Sequence, residues 1–427
     1  MEKPDVEKIR QLLENKQAGN ILLGMQLIQT FGLEKEFLTE ICYLGYFINT
    51  DVSPAAQQTF SKLTSEQLHK ELEAQTKQVY FPEEILEGIG ILFKPEYSSI
   101  PLIDRTRLVQ KYLKDYYYYP AQILNFLLEH KLDLSQFEFL EEMEELSIQY
   151  TIESLPLERF HSYFPNVKHL VIENNPLAFS NPPFEIFKQL ETISIAHNQL
   201  KSLPQEITEA KFLTSLVASD NELEELPKEF GELSHLAHLE LQENQLNKLP
   251  ESFGKLQTLE FLNLRDNLLN TLPNSIQDLS NLRGISLENN QLTQIPFCLL
   301  LLSNLRELML DNNPLALELL PTNLEQMSEL QHLGFSGNQL STIPDFVFTM
   351  PRLQYLRLAN NHLTYLPEQL PTLKLRQLDL SHNQLTSFSY KLVNPHFIKE
   401  INLRGNPIFK RVIKQLRLDL PDAKIVF

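Results

Sequence analysis

The segment Leu236-Ala-His-Leu239-Glu-Leu241-Gln-Glu-Asn244-Gln-Leu246 contains the pattern on which the fold depends. The same pattern, Leu-x-x-Leu-x-Leu-x-x-Asn-x-Leu, returns in Leu259–Leu269, and copies of it are usually followed by a Leu-Pro pair such as Leu249-Pro250. Its asparagines fall at positions 175, 198, 221, 244, 267, 290, 313, 338, 361, 383 and 406. Because the spacing stays between 22 and 25 residues, the chain from about residue 167 is a tandem array of eleven short units.

Each unit predicts a short strand followed by a turn. In Leu239-Glu-Leu241 the two leucines lie on the same side of a strand and enter the core, whereas the residue between them points outward. The asparagine that follows can bond backbone groups of the turn that would otherwise be buried without partners. Stacked units therefore predict a parallel β-sheet, with strands about 4.8 Å apart, and a ladder of asparagines along the turns.

These copies, together with Leu-Pro pairs such as Leu203-Pro204 and Leu366-Pro367, resemble the leucine-rich repeat family. The resemblance covers about residues 143–427 and implies an α/β fold, a right-handed solenoid shaped like a horseshoe with a concave parallel β-sheet. The terminal segment Leu420–Phe427 is similar to the ending of bacterial cytosolic members. The repeat is specific for the fold and says little about the function.

The segments that flank the repeats have other patterns. Residues 1–140 carry apolar residues at three- and four-residue steps and predict an α-helical N-terminal domain. Residues 141–166 are interpreted as an N-terminal cap, a degenerate repeat with Thr151 at the asparagine position. Residues 167–407 hold the eleven repeats, and residues 408–427 predict a C-terminal cap that contains a helix.

The composition disfavours several classes of protein. The 37 Lys and Arg residues against 55 Asp and Glu residues give a net charge of −18, which argues against binding to nucleic acid. The charged start Met1–Asp5 and the lack of any run of 18 apolar residues favour a cytoplasmic protein without a membrane span. Cys42 and Cys298 are far apart among apolar neighbours, and we expect buried thiols there.

No motif for catalysis or metal binding stands out in the sequence. It has no Gly-x-x-x-x-Gly-Lys-Ser/Thr phosphate loop, no His-Glu-x-x-His metal motif and no Gly-x-Ser-x-Gly nucleophile motif. His235 and His238 lie close together, but further ligands for a metal are missing. We therefore predict that the protein is not an enzyme and has no catalytic residues, no metal site and no cofactor.

The outward positions of the predicted sheet give the candidate binding site. An aromatic, Met or Arg side chain at such a position has no role in the core, so it indicates contact with a partner. The predicted partner-binding residues on the concave face are Phe261, Arg265, Met309, Tyr355, Arg357, Glu240, His238 and Glu307. Because further acidic residues adjoin them, a protein or peptide partner with some basic character is favoured.

Three functions are compatible with these features. The leading hypothesis is a monomeric, non-enzymatic scaffold that binds a protein or peptide on the concave face. An alternative is a host-directed bacterial effector with cryptic ubiquitin-ligase or other transferase activity in the helical domain, where Cys42 would be the residue to test for ubiquitin charging. A third is a small-molecule sensor with an apolar pocket between the helical domain and the first repeats.

Overall fold

The computed structural model describes residues 144–149, 164–174, 189–315 and 327–427, with four isolated positions at Ile9, Leu13, Ala56 and Gln57. The chain divides into two compact regions. The first comprises Met1–Thr151 and Ser162–Asn166, and the second comprises Ile152–His161 and Val167–Phe427. Apart from the isolated positions, the predicted helical domain lies outside the described residues and stays a prediction. Thr151 of the predicted cap and Asn175, the first ladder position, also lie outside them.

In the first region, the described residues include the strand β1 (Glu145–Gln149). The described residues of the second region include a parallel sheet of twelve strands that pair in chain order, which confirms the predicted sheet. They are β2 (His169–Glu173), β3 (Thr192–Ser194), β4 (Ser215–Val217), β5 (His238–Glu240), β6 (Phe261–Asn263), β7 (Gly284–Ser286), β8 (Glu307–Met309), β9 (His332–Gly334), β10 (Tyr355–Arg357), β11 (Gln377–Asp379), β12 (Glu400–Asn402) and β13 (Lys424–Val426).

Short 3-10 helices connect many of the strands. Five of them directly follow a proline, as Glu251–Lys255 follows Pro250, because proline fixes φ near the value with which such a turn begins. The described 3-10 helices are Gln205–Glu209, Phe230–Glu232, Glu251–Lys255, Asn274–Asp278, Phe297–Leu301, Asp345–Thr349, Leu370–Thr372 and Tyr390–Leu392. The Leu-Pro pairs of the sequence, and the Ile-Pro pairs Ile295-Pro296 and Ile343-Pro344, thus mark the places where the outer segment of a repeat begins.

Successive outer segments pack closely against one another. The buried rings of Phe230 and Phe253 stack with centroids 5.9 Å apart. Gly231 follows the first of these rings, and a Cβ atom at this position would lie only 1.8 Å from the backbone oxygen of Ser252 in the next unit. Glycine is therefore required at position 231 by the close approach of two backbones.

The asparagine ladder is present in the described repeats. The Asn244 Nδ2 group lies 3.0 Å from the oxygen of Ala218 and 3.1 Å from that of Leu241, while its Oδ1 atom accepts a hydrogen bond from Leu223 N at 3.0 Å. Asn198, Asn221, Asn267, Asn290, Asn313, Asn361, Asn383 and Asn406 make the same kind of contacts to backbone carbonyls. Each asparagine thereby joins its own turn to the preceding unit, as predicted.

The 25-residue unit changes the ladder locally. In the regular units the amide two residues after an asparagine donates to the next asparagine, but Leu315 N instead bonds Asn313 O at 2.9 Å. The Asn338 Oδ1 atom accepts from Asn313 N at 3.1 Å, so the ladder continues through a different donor. Residues 316–326 of this repeat lie outside the described residues.

The C-terminal segment after the repeats contains one helix and one strand. Helix α1 (Lys410–Asp419) buries Leu416, and β13 pairs with β12 through the bond from Leu403 N to Val426 O at 2.8 Å. The predicted helix is thus present, with bounds close to those expected from the apolar spacing. Among the described helices, none combines the length and the apolar character that a membrane crossing needs.

Candidate functional site

The candidate site lies on the outward side of the sheet, called the sheet face below. It consists of the first and third residue of each strand and of the residue two positions further on. In β5, for example, the central Leu239 is buried, whereas His238 and Glu240 are exposed. The alternation of strand side chains places these residues in parallel columns, so that equivalent positions of neighbouring repeats lie side by side.

Two ring stacks stand on the sheet face. The rings of His238 and Phe261 lie nearly parallel, 5.3 Å apart, and those of His332 and Tyr355 lie 4.1 Å apart. Both stacks arise because the strand register places the two residues directly opposite each other. Phe261 remains 44% exposed, so an apolar ring that stacks on an imidazole is presented at the surface.

Two glycines of the sheet face make room for neighbouring side chains. A Cβ atom at Gly284 would lie 3.0 Å from Cδ1 of Phe261, so this ring leans toward β7. A Cβ atom at Gly334 would lie 2.1 Å from Oδ2 of Asp311 and 2.8 Å from Sδ of Met309. In both cases a side chain of the preceding strand region occupies the space that a larger residue would fill.

A cluster of charged residues surrounds Gly334. The Arg357 Nη1 atom lies 3.3 Å from Oε1 of Glu288 and 3.7 Å from Oδ2 of Asp311, so one guanidinium forms ion pairs with two carboxylates. The same nitrogen lies 3.9 Å from Sδ of Met309. Asp311 is almost fully buried, and its Oδ1 atom accepts a hydrogen bond from Ser336 N at 2.7 Å. Its Oδ2 atom has no hydrogen-bond partner.

Burial raises the pKa of Asp311 above its ordinary value, although Ser336 and Arg357 act in the opposite direction. A carboxyl group with a higher pKa in the folded than in the unfolded state binds a proton more tightly when folded. Lowering the pH from neutral toward the ordinary value of 3.8 should therefore stabilise the wild type relative to Asp311→Asn, which cannot take up this proton. Urea unfolding of both proteins across this pH range measures the difference; a gap that stays constant or changes in the other direction would contradict the assignment.

The eight predicted partner-binding residues all lie on the sheet face. The structure brings His238 together with Phe261, and Met309 together with Arg357. Met309 was predicted to point outward and contact a partner, but it is only 9% exposed. The remaining four have other partners or stand alone. Arg265 pairs with Asp266, Glu240 with Gln242 and Tyr355 with His332, while Glu307 is exposed on β8.

Several residues of the site were not among the predicted eight. His332 could have been found from the strand register alone, because it precedes Tyr355 by one repeat in the same column. Glu288 and Asp311 belong to the acidic residues that adjoin the predicted eight in the sequence. The roles of Gly284 and Gly334 depend on the directions of adjacent side chains, for which the sequence carries no signal.

Other chemistry is not supported by the described residues. Burial raises the pKa of the Cys298 thiol to about 11, so the thiolate needed for nucleophilic attack is scarce at neutral pH. In the described ranges no three His, Cys, Asp or Glu side chains come together as a metal site would require. Cys42 lies outside the described residues.

The comparisons with known families identify the repeats. A family model described as leucine rich repeat matches residues 211–269 and 303–363, and a second leucine rich repeat model matches residues 374–393. Together with the strand order and the asparagine ladder, these matches show that the matched residues form leucine-rich repeats. The search of the curated proteins found no significant match.

Solved structures give the same class. A leucine-rich-repeat protein of Leptospira interrogans is 28% identical, with a TM-score of 0.52, over 68% of this chain and 86% of that one. A plant peptide hormone receptor, RGFR1, solved in complex with RGF2, is 26% identical with a TM-score of 0.53; the match covers 66% of this chain and 46% of the receptor. FLRT2, solved in an octameric complex with latrophilin 3 and Unc5D, is similar in fold at 21% identity and a TM-score of 0.50; the match covers 65% of this chain and 86% of that one.

Proposed function

We propose that the protein is a non-enzymatic scaffold that binds a protein or peptide through the sheet face, which in this fold lines the concave side. The observation that carries the proposal is the Phe261–His238 stack, an exposed apolar ring held in place by a neighbouring imidazole. A surface whose side chains are already ordered loses little conformational entropy when a partner binds. Aromatic residues of this kind are the common anchors of protein interfaces.

The structural relatives support the general part of the proposal. The plant receptor was solved with RGF2, and FLRT2 with two other proteins, so repeats of this fold serve in protein recognition. For this chain we further propose a partner of basic character, because Glu240, Glu288 and Glu307 lie on the same face. The proposed protein is cytoplasmic and monomeric. The effector alternative depends on residues 1–140 and has no supporting observation among the described residues.

A pull-down with a matched control tests the proposal. The double variant Phe261→Ala/Tyr355→Ala removes one ring from each stack, and truncation of such anchors typically weakens an interface by about 2 kcal/mol or more per residue. The control Phe212→Ala/Tyr365→Ala removes two exposed rings of similar size away from the sheet face. Proteins captured from the native lysate by the wild type and the control should be lost with the double variant, as read by quantitative mass spectrometry.

The comparison has a definite negative outcome. If the double variant keeps its fold, shown by an unchanged circular dichroism spectrum, and still captures the same proteins in the same amounts, then the two stacks do not form the binding site. Loss of the same proteins with the control variant would place the binding site elsewhere on the molecule.

A further inference from the structure

The part of the sheet face between Phe261 on β6 and Tyr355 on β10, called the central face, is arranged as an acidic middle between two ring stacks. Four strand intervals of about 4.8 Å separate its ends, which gives a length of about 19 Å. An extended peptide advances about 3.3 Å per residue, so about six residues would cross the central face from one stack to the other. The acidic middle consists of Glu288, Glu307 and Asp311.

The acidic middle has an excess of negative charge. Arg357 is shared between Glu288 and Asp311, so one positive charge faces two carboxylates. The buried Oδ2 atom of Asp311 has no hydrogen-bond partner, and its distance of 3.7 Å from Arg357 is too long for a hydrogen bond. Glu307, the first residue of β8, adds an exposed carboxylate opposite Gly284, about 13 Å from Asp311 along the strand direction. A cation that arrives from a partner would therefore meet an incompletely compensated negative potential.

The chemistry of the central face limits the kind of cation that fits it. The described residues offer no cluster of ligands suited to a metal ion. A nucleic acid or an anionic membrane would be repelled by these carboxylates. Phe261, 44% exposed beside the acidic middle, offers an apolar contact of the kind that a peptide side chain makes.

We infer that the central face binds an extended peptide segment that places a Lys or Arg side chain against Glu288 and an apolar side chain against Phe261, and that passes the exposed carboxylate of Glu307. This inference rests on the proposed function and specifies the partner for it. The Lys or Arg approaches from outside the sheet, where Glu288 is partly accessible. Asp311 remains covered and contributes its charge through space, in a partly desolvated environment where charges act more strongly than in water.

Selection from a library of random 12-residue peptides displayed on phage, with the full chain as bait, tests the inference. The enriched peptides should share a Lys or Arg within a few positions of an apolar residue. An excess of the same protein in solution should prevent these peptides from binding to the bait. Each enriched peptide, synthesised with a fluorescent label, should bind the double variant Glu288→Gln/Glu307→Gln about five- to tenfold more weakly than the wild type. Its affinity for the wild type should fall as salt is added.

Glu251→Gln is the matched control, because Glu251 is an exposed carboxylate on an outer 3-10 helix and its loss should leave binding unchanged. Enrichment of peptides without basic residues, equal binding by the double variant, or no competable enrichment would each overturn the inference. If any of these results occurs while the Phe261→Ala/Tyr355→Ala variant still loses a native protein, the basic-peptide inference fails and the proposed function stands. If that variant loses nothing, the proposed function fails as well.

Discussion

Replacing Asn267 by alanine should lower the free energy of unfolding by about 3–5 kcal/mol, because the change leaves several buried backbone groups without partners. The Asn267 Nδ2 group lies 2.9 Å from the oxygen of Leu241 and 3.1 Å from that of Leu264, and its Oδ1 atom accepts from Leu246 N at 3.0 Å. Water cannot replace these bonds easily, since Asn267 is only 4% exposed. Urea unfolding followed by circular dichroism measures the loss.

The variant Asn270→Ala provides the matched control, because Asn270 is exposed and lies outside the ladder. Its effect should stay within about 0.5 kcal/mol, as is usual for surface substitutions. Hydrogen exchange should show that the Leu246 amide loses protection in Asn267→Ala and keeps it in the control. A change below about 1 kcal/mol for Asn267→Ala would mean that the ladder contributes little to stability.

The second large effect is expected at Gly231. In Gly231→Ala the new Cβ atom would meet the backbone oxygen of Ser252 at 1.8 Å, so the outer segments of two successive units must move apart. Overpacking of this kind typically costs about 1–3 kcal/mol and sometimes more. Because a backbone group blocks the methyl group, we expect a loss of about 3 kcal/mol or more, measured as a lower urea midpoint.

Gly284→Ala is the matched control, because it adds the same methyl group where a side chain, and not a backbone group, is the nearest neighbour. Its Cβ atom would meet the ring of Phe261 at 3.0 Å, a contact that this partly exposed ring relieves by shifting a few tenths of an ångström. The loss of stability should therefore stay below about 1 kcal/mol, within the range of tolerated substitutions. If Gly231→Ala lost as little stability as Gly284→Ala, the clash with Ser252 would be relieved by small backbone shifts. The close stacking of the outer segments would then not be restrictive.

The sequence was sufficient to predict the fold of the repeats. Strand positions, their parallel order and the asparagine ladder all follow from one period, because each unit needs its neighbours to bury its leucines and to satisfy its turns. The irregular donor at Asn313 was not predictable, since the effect of two added residues on a turn depends on the local backbone path. The Leu-Pro pairs did not by themselves identify the 3-10 helices that begin after them.

The candidate site was predictable in position and less so in detail. The column positions of Phe261 and Tyr355 follow from the period, and so does their pairing with His238 and His332 across the register. The burial of Met309 beneath its neighbours was missed. It depends on the direction of long side chains and on the missing Cβ of a glycine one strand away, and neither quantity is contained in a strand pattern.

The regular ladder also bears on how the length of this domain can change. The Asn267 side chain bonds the Leu241 oxygen 26 positions before it and the Leu246 amide 21 positions before it, and equivalent atoms occupy these places in the regular units. A deletion or duplication of one full period would therefore join donors and acceptors of the same kind. Unequal recombination within the gene can add or remove single rows of outward residues, which changes the outward surface without a new fold.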